Sequence, residues 1–105
     1  MPSLPVQIVR FVDESQPGWV ESQFRDAHGE VHSIIDKVPL FTGADLWSNS
    51  DYPQPGFIEC SVLERIPGPG GNLVRICIEP YHFEITNERS EFVISEAEIS
   101  DSRLA

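Results

Sequence analysis

Two histidines flank a glycine in Ala27-His28-Gly29-Glu30-Val31-His32, with Asp26 just upstream. Two imidazoles and a carboxylate such as Asp26 or Glu30 are a donor set that Zn²⁺ accepts. Four-residue spacing converges on one face of a helix, but this stretch has the pattern of a hairpin. His28 falls in its loop, and strand parity sets His32 opposite Arg25. The expectation is therefore a polar hairpin tip, with no metal and no cofactor. Glu21 and Asp36 are cross-strand neighbours in the same register. They would work as an acid–base dyad only if a cleft held them with pKa values pushed apart. On an open strand face like charges are screened, and that reading is favoured.

Other catalytic patterns are weaker. Cys77 and His82, five residues apart, offer a thiol and a base, but nothing supplies the group that would orient them. No serine sits in a Gly-x-Ser-x-Gly elbow. Pro67-Gly68-Pro69-Gly70-Gly71 is not a phosphate loop, because it lacks the lysine and the following helix and its prolines remove amide donors. No catalytic residue is expected, and the chain reads as a non-enzyme.

The aromatic residues carry more information. Trp19 lies on a strand face that is otherwise polar. Phe41, Trp47 and Tyr52 concentrate in the segment Lys37 to Pro55, beside Asp45 and Asp51. Aromatic anchors ringed by carboxylates suit an interface with a basic protein partner. The competing reading is a satellite core, in which the segment folds over one end of the domain and plugs it with these rings. A plug that leaves its rim exposed satisfies both. The expected partner-binding set is Trp19, Phe41, Asp45, Trp47, Asp51 and Tyr52.

Charge supports that direction. Seventeen carboxylates face seven Lys and Arg, a formal net charge of −10. Such a field repels phosphate backbones, which weighs against nucleic acid and favours basic partners. The N-terminal Met-Pro-Ser-Leu-Pro has neither the basic region nor the apolar run of a signal peptide. No stretch approaches the ~18 apolar residues of a membrane span. A cytoplasmic location without membrane contact is expected.

These residues must be positioned by a β scaffold. The 105 residues, 40% hydrophobic, make one domain, expected over 4–99 with flexible tails at 1–3 and 100–105. Val6 to Val12 alternates, slips between Ile8 and Val9, and so predicts a strand with a bulge. Trp19 to Asp26 puts Val20 and Phe24 on one face and Trp19, Glu21, Gln23 and Arg25 on the other. A tight two-residue loop with Gly29 leads to a strand from Val31 to Asp36. Phe57 to Ile66, with Ile58, Cys60 and Val62 inward, and Leu73 to Glu79, with Val74, Ile76 and Ile78 inward, flank the loop 67–72. Parity places Cys60 and Cys77 on opposite faces, which blocks a disulfide. Tyr81 to Thr86 is a candidate edge strand and Ser90 to Ile94 the last firm one. Residues 95–99 either continue it or form a helical turn. Thr42 as N-cap, with Phe41 and Leu46 as a hydrophobic staple, predicts a short helical turn near 43–48.

The fold expected is mainly β: a small barrel, or barrel-like antiparallel sheet, of 5–7 strands. The function expected is a small acidic module that binds a protein with a basic surface, including inhibitor or immunity-type roles. The alternatives are an accessory domain that self-associates through a sheet edge around residues 81–94, giving a homodimer, and a ligand-binding or enzymatic barrel with a pocket beneath the long segment.

Overall fold

The computed structural model describes residues 2–16, 18–78 and 91–101. Alternating apolar residues Leu4, Val6 and Ile8 make the inward face of β1 (Pro2–Asp13). The alternation breaks between Ile8 and Arg10, where the sequence slips, and the bulge brings Phe11 back to the inner side opposite Val20. β2 (Trp19–Arg25) turns Val20, Ser22 and Phe24 inward, and β3 (Val31–Lys37) pairs antiparallel along its whole length. β4 (Gln54–Glu59) lies on the other side of β1, giving the first sheet the order β3-β2-β1-β4.

β5 (Ser61–Ile66), β6 (Leu73–Cys77) and β7 (Glu91–Ser95) form a second antiparallel sheet in that order. A two-residue strand, β8 (Ser100–Asp101), returns to pair with Pro2 and Ser3 of β1, so the inner ends of the two expected tails meet as sheet. Val74, Ile76, Phe92 and Ile94 of the second sheet, with Ile78 just past the end of β6, pack with Leu4, Ile8, Val20, Phe24, Ile34 and Ile58 of the first, all in one buried cluster. Among the described residues no helix is long and apolar enough to cross a membrane.

The sheets are antiparallel as expected but do not close into a barrel. The reason lies at Cys60. The stretch Phe57 to Ile66, expected as one strand, is two strands in different sheets. The Cys60 amide donates to the Pro2 carbonyl at 3.0 Å, ending the first sheet, and Ser61 already pairs with Cys77 in the second. Cys60 is fully buried at that seam. Val62 pairs with the buried Ile76, but it is 45% exposed rather than core, as is most of β5.

Two smaller expectations are corrected. Residues 43–48 hold a bend and the start of a turn, not a helical turn; a turn of 3₁₀ helix comes earlier, at Val38–Leu40. The Thr42 hydroxyl accepts the amide of Ala44 at 3.1 Å instead of that of Asp45, making a local turn in place of an N-cap. Residues 95–99 resolve to a 3₁₀ turn at Glu96–Glu98. The edge strand expected over Tyr81 to Thr86 lies outside the described residues.

Candidate functional site

The segment between β3 and β4 is built inward first and outward second. Pro39 sits in the first turn of the 3₁₀ helix, where its fixed φ suits the start of a helix. The amides of Phe41 and Thr42 both donate to the Val38 carbonyl, at 3.0 and 3.2 Å. That swing drives the Phe41 ring into the core, where it is 2% exposed, and points its carbonyl at the amide of Phe57 on β4, 2.7 Å away. Gly56 makes this approach possible: a Cβ there would stand 2.9 Å from the Phe41 carbonyl oxygen. Leu46 is the second buried anchor. The pairing of Phe41 with Leu46 read from the sequence thus survives as core burial, although the helix it implied does not.

The next residue faces the other way. Trp47 is 59% exposed, the most exposed large hydrophobic residue among those described. Its backbone is held on three sides. The Trp47 amide donates to Ser50 Oγ (2.9 Å), and the Trp47 carbonyl accepts from the Ser50 amide (3.1 Å) and from the Tyr52 hydroxyl (2.7 Å). Tyr52 is half-buried, and burial raises its phenol above the usual value, so it stays a donor at any ordinary pH. The Gln54 side-chain amide donates to the Asp51 carbonyl at 2.7 Å and secures the far end of the turn.

Trp47 borders a cleft of about 280 Å³ whose opposite wall is the β1–β2 turn, with Phe11, Glu14 and Gly18. Asp13 and Glu14 from that turn and Asp45 and Asp51 from the long segment are exposed, and neither 11–18 nor 38–53 contains a Lys or Arg. The Ser15 amide, 2.8 Å from Asp13 Oδ1, holds that carboxyl below its usual range. The result is an indole on a fixed turn, with Glu14 across the cleft, Asp45 and Asp51 exposed in the same segment, and no Lys or Arg within 11–18 or 38–53.

Of the six residues expected to bind a partner, Tyr52 and Trp47 are joined here by a hydrogen bond, and Asp45 and Asp51 are exposed in the same segment. Phe41 is buried beneath them and supports the segment. Trp19 lies elsewhere, half-buried on the outward face of the first sheet, with the Lys37 ammonium 5.7 Å from its ring centre. Sequence reasoning missed Asp13 and Glu14. Their acidic pair ahead of Pro17-Gly18 was visible, but not that this turn would stand across from Trp47.

The histidine hairpin differs from its expected register. Asp26 and Glu30 pair through an amide–carbonyl bond of 2.9 Å, enclosing three loop residues, with Gly29 at φ +86°. One residue more than expected shifts every pair: Phe24, not Arg25, opposes His32, and Val20, not Glu21, opposes Asp36. His32 is consequently buried, its ring 5.3 Å from Phe24 and 4.7 Å from Phe92, and not part of a polar tip. Glu21 and Asp36 fall on opposite faces and form no dyad.

Ligand atoms of Asp26, Glu30 and His32 lie within 4.8 Å of one another. Asp26 already uses both carboxylate oxygens. Oδ1 accepts the amides of His28 (2.8 Å) and Glu30 (3.0 Å), and Oδ2 accepts from His32 Nε2 at 2.8 Å. Burial pushes the Asp26 carboxyl up, but the His32 bond and the two amides outweigh it and leave it below its usual value. The arrangement works as a clamp that fixes the loop, and the Ala27 amide then docks on the Val93 carbonyl of β7 at 2.8 Å, tying one sheet to the other.

Cys60 and Cys77 are not joined in a disulfide, and burial pushes the Cys60 thiol up to about 11. Cys77 is half-buried opposite Ser61, and its proposed partner His82 lies outside the described residues. Comparison with known protein families, curated proteins and solved structures finds no match for this chain.

Proposed function

We propose that the protein is an acidic binding module that seats a basic surface of another protein against Trp47. The observation that carries this reading is an indole 59% exposed on a turn fixed by three hydrogen bonds, with Glu14 across the cleft and Asp45 and Asp51 exposed in the same segment. A held aromatic residue loses little conformational freedom on binding, which favours its use as an anchor. Burying the exposed share of the indole is worth about 3 kcal/mol. The carboxylates add attraction at a distance and select for Lys- and Arg-bearing partners. Nothing in this reading requires chemistry on a substrate, so the role is contact and not catalysis. An inhibitor or immunity-type role, masking a basic effector in the cytoplasm, fits the charge and size. A ligand barrel with a pocket beneath the segment is less favoured, because Phe41 and Leu46 occupy that space.

The test is affinity capture from the native host with wild type, Trp47→Ala and the charge reversal Asp45→Lys/Asp51→Lys. The reading expects a basic protein captured by wild type, released by salt, and lost with both variants while circular dichroism is unchanged. A partner retained by both variants would remove Trp47 from the interface.

A further inference from the structure

The outward face of the first sheet has the opposite character to the Trp47 mouth. Register and exposure place Pro5, Gln7, Arg10 and Asp13 of β1, Trp19, Glu21, Gln23 and Arg25 of β2, Val31, Ser33, Ile35 and Lys37 of β3, and Pro55, Phe57 and Glu59 of β4 on it. It holds three of the seven Lys and Arg but only three of the seventeen carboxylates, and is neutral by count. The −10 excess of the chain is carried by residues outside these positions. Phe57 and Val31, 50% and 48% exposed, stand on its two edge strands. Pro5, Gln7, Gln23 and Arg25 of this face line a pocket that also reaches the core residue Phe24 and Glu98.

The charges are ordered across the strands. Lys37 and Arg25 lie on β3 and β2, Asp13 and Glu59 on β1 and β4. The remaining pair, Arg10 and Glu21, neutralise each other through a contact of 2.5 Å. One long side of the face is therefore positive and the other negative. Such a face is complementary to itself under a twofold axis lying in the interface and parallel to the strands. That operation carries β3 of one copy over β4 of the other while keeping each strand end against the same end.

We infer that this face is the contact between two copies of the chain, packed sheet on sheet about a strand-parallel twofold. Phe57 on one edge then meets the partner's Val31 on the opposite edge, because the two occupy the same level: Phe57 pairs with Pro5, and Val31 with Arg25. Arg25 comes alongside the partner's Glu59, and Lys37 alongside the partner's Asp13. Sheets packed this way keep their strands roughly aligned and about 10 Å apart. A second copy is the favoured occupant because a neutral, apolar-bearing face offers a −10 chain a place to meet itself without pressing its excess charges together. The same neutrality makes the face a poor seat for a basic partner; Asp13, at the end of β1, is the one residue named for both surfaces.

Sedimentation equilibrium on the full chain tests this. Wild type is expected to show a concentration-dependent monomer–dimer equilibrium. Phe57→Glu, and separately Val31→Glu on the other edge, should each raise the dissociation constant about tenfold or more. Arg25→Glu and Glu59→Arg should each weaken the dimer, and the combined swap should restore it to within about threefold of wild type. Trp47→Ala should leave the equilibrium unchanged, which separates this contact from the partner site. A wild type that stays monomeric up to about 1 mM, the affinity scale of the weakest contacts, would overturn the inference. So would a dimer indifferent to both Phe57→Glu and Val31→Glu, or a charge swap that fails to restore what the single reversals lose.

Discussion

Gly56→Ala probes the joint that carries the whole Trp47 segment. The added methyl would stand 2.9 Å from the Phe41 carbonyl oxygen and 3.0 and 3.2 Å from Ile8 Cδ1 and Cγ1. The first contact is with backbone that already accepts the Phe57 amide at 2.7 Å, so it cannot yield without loosening that bond. The second is with a fully buried side chain. Overpacking of this kind costs about 1–3 kcal/mol. In a chain of about 100 residues each kcal/mol lowers the melting temperature by roughly 4–8 °C. Gly43→Ala is the control, since a Cβ there meets nothing within 4 Å, and its effect should stay within about 0.5 kcal/mol. Urea unfolding followed by circular dichroism gives the global cost. Hydrogen exchange at the amides of Phe41, Thr42, Ser50 and Phe57 shows whether the segment loosens first. A Gly56→Ala variant as stable as Gly43→Ala would mean that Phe41 does not dock against β4, and the account of how Trp47 is held would fail.

Two further perturbations test the interior. Asp26→Ala removes an acceptor shared by His28, Glu30 and His32 and leaves the buried imidazole only the exposed Glu30 carboxylate, 3.4 Å away, so a loss of about 3 kcal/mol is expected by chemical denaturation. Because the folded Asp26 carboxyl sits below its usual value of 3.8, its contribution is present above that value and lost as pH falls through the lower, folded one. The stability gap between wild type and Asp26→Ala should therefore narrow in acid, and a gap constant down to about pH 2 would contradict the clamp. The Ser22 hydroxyl is fully buried and has no hydrogen-bond partner among the described residues. Ser22→Ala is expected to be neutral or stabilising in the same assay, and a loss above about 1 kcal/mol would show that the hydroxyl is satisfied after all.

Much of the scaffold was legible because strand alternation is a strong local signal. The bulge after Ile8, the two faces of β2, the burial of Cys60 and the loop at 67–72 follow from periodicity and from Gly–Pro punctuation. Three features were not legible, each for a definite reason. A hairpin loop of two residues and one of three both tolerate Gly29, yet they differ by one in register, and that one residue buries His32. Alternation through Ile58, Cys60 and Val62 continues unbroken while the chain changes sheets, because parity records a side and not a partner. Thr42 can cap a helix or close a local turn with the same hydroxyl, and Phe41 and Leu46 are buried in either case. In the site, the aromatic and acidic character of 41–52 was apparent, but its division into buried anchors and one exposed ring depends on where the 3₁₀ turn points Phe41.

The most direct measurement is the fluorescence of Trp47 alone, in a Trp19→Phe variant, with and without the captured basic protein. The free protein should emit at the long wavelength of a solvated indole and be quenched readily by acrylamide. On saturation with the partner, emission should shift to shorter wavelength and quenching should fall, with the effect abolished by salt. A blue, protected indole in the free protein, or an unchanged spectrum in the saturated complex, would contradict the proposal that Trp47 is the contact.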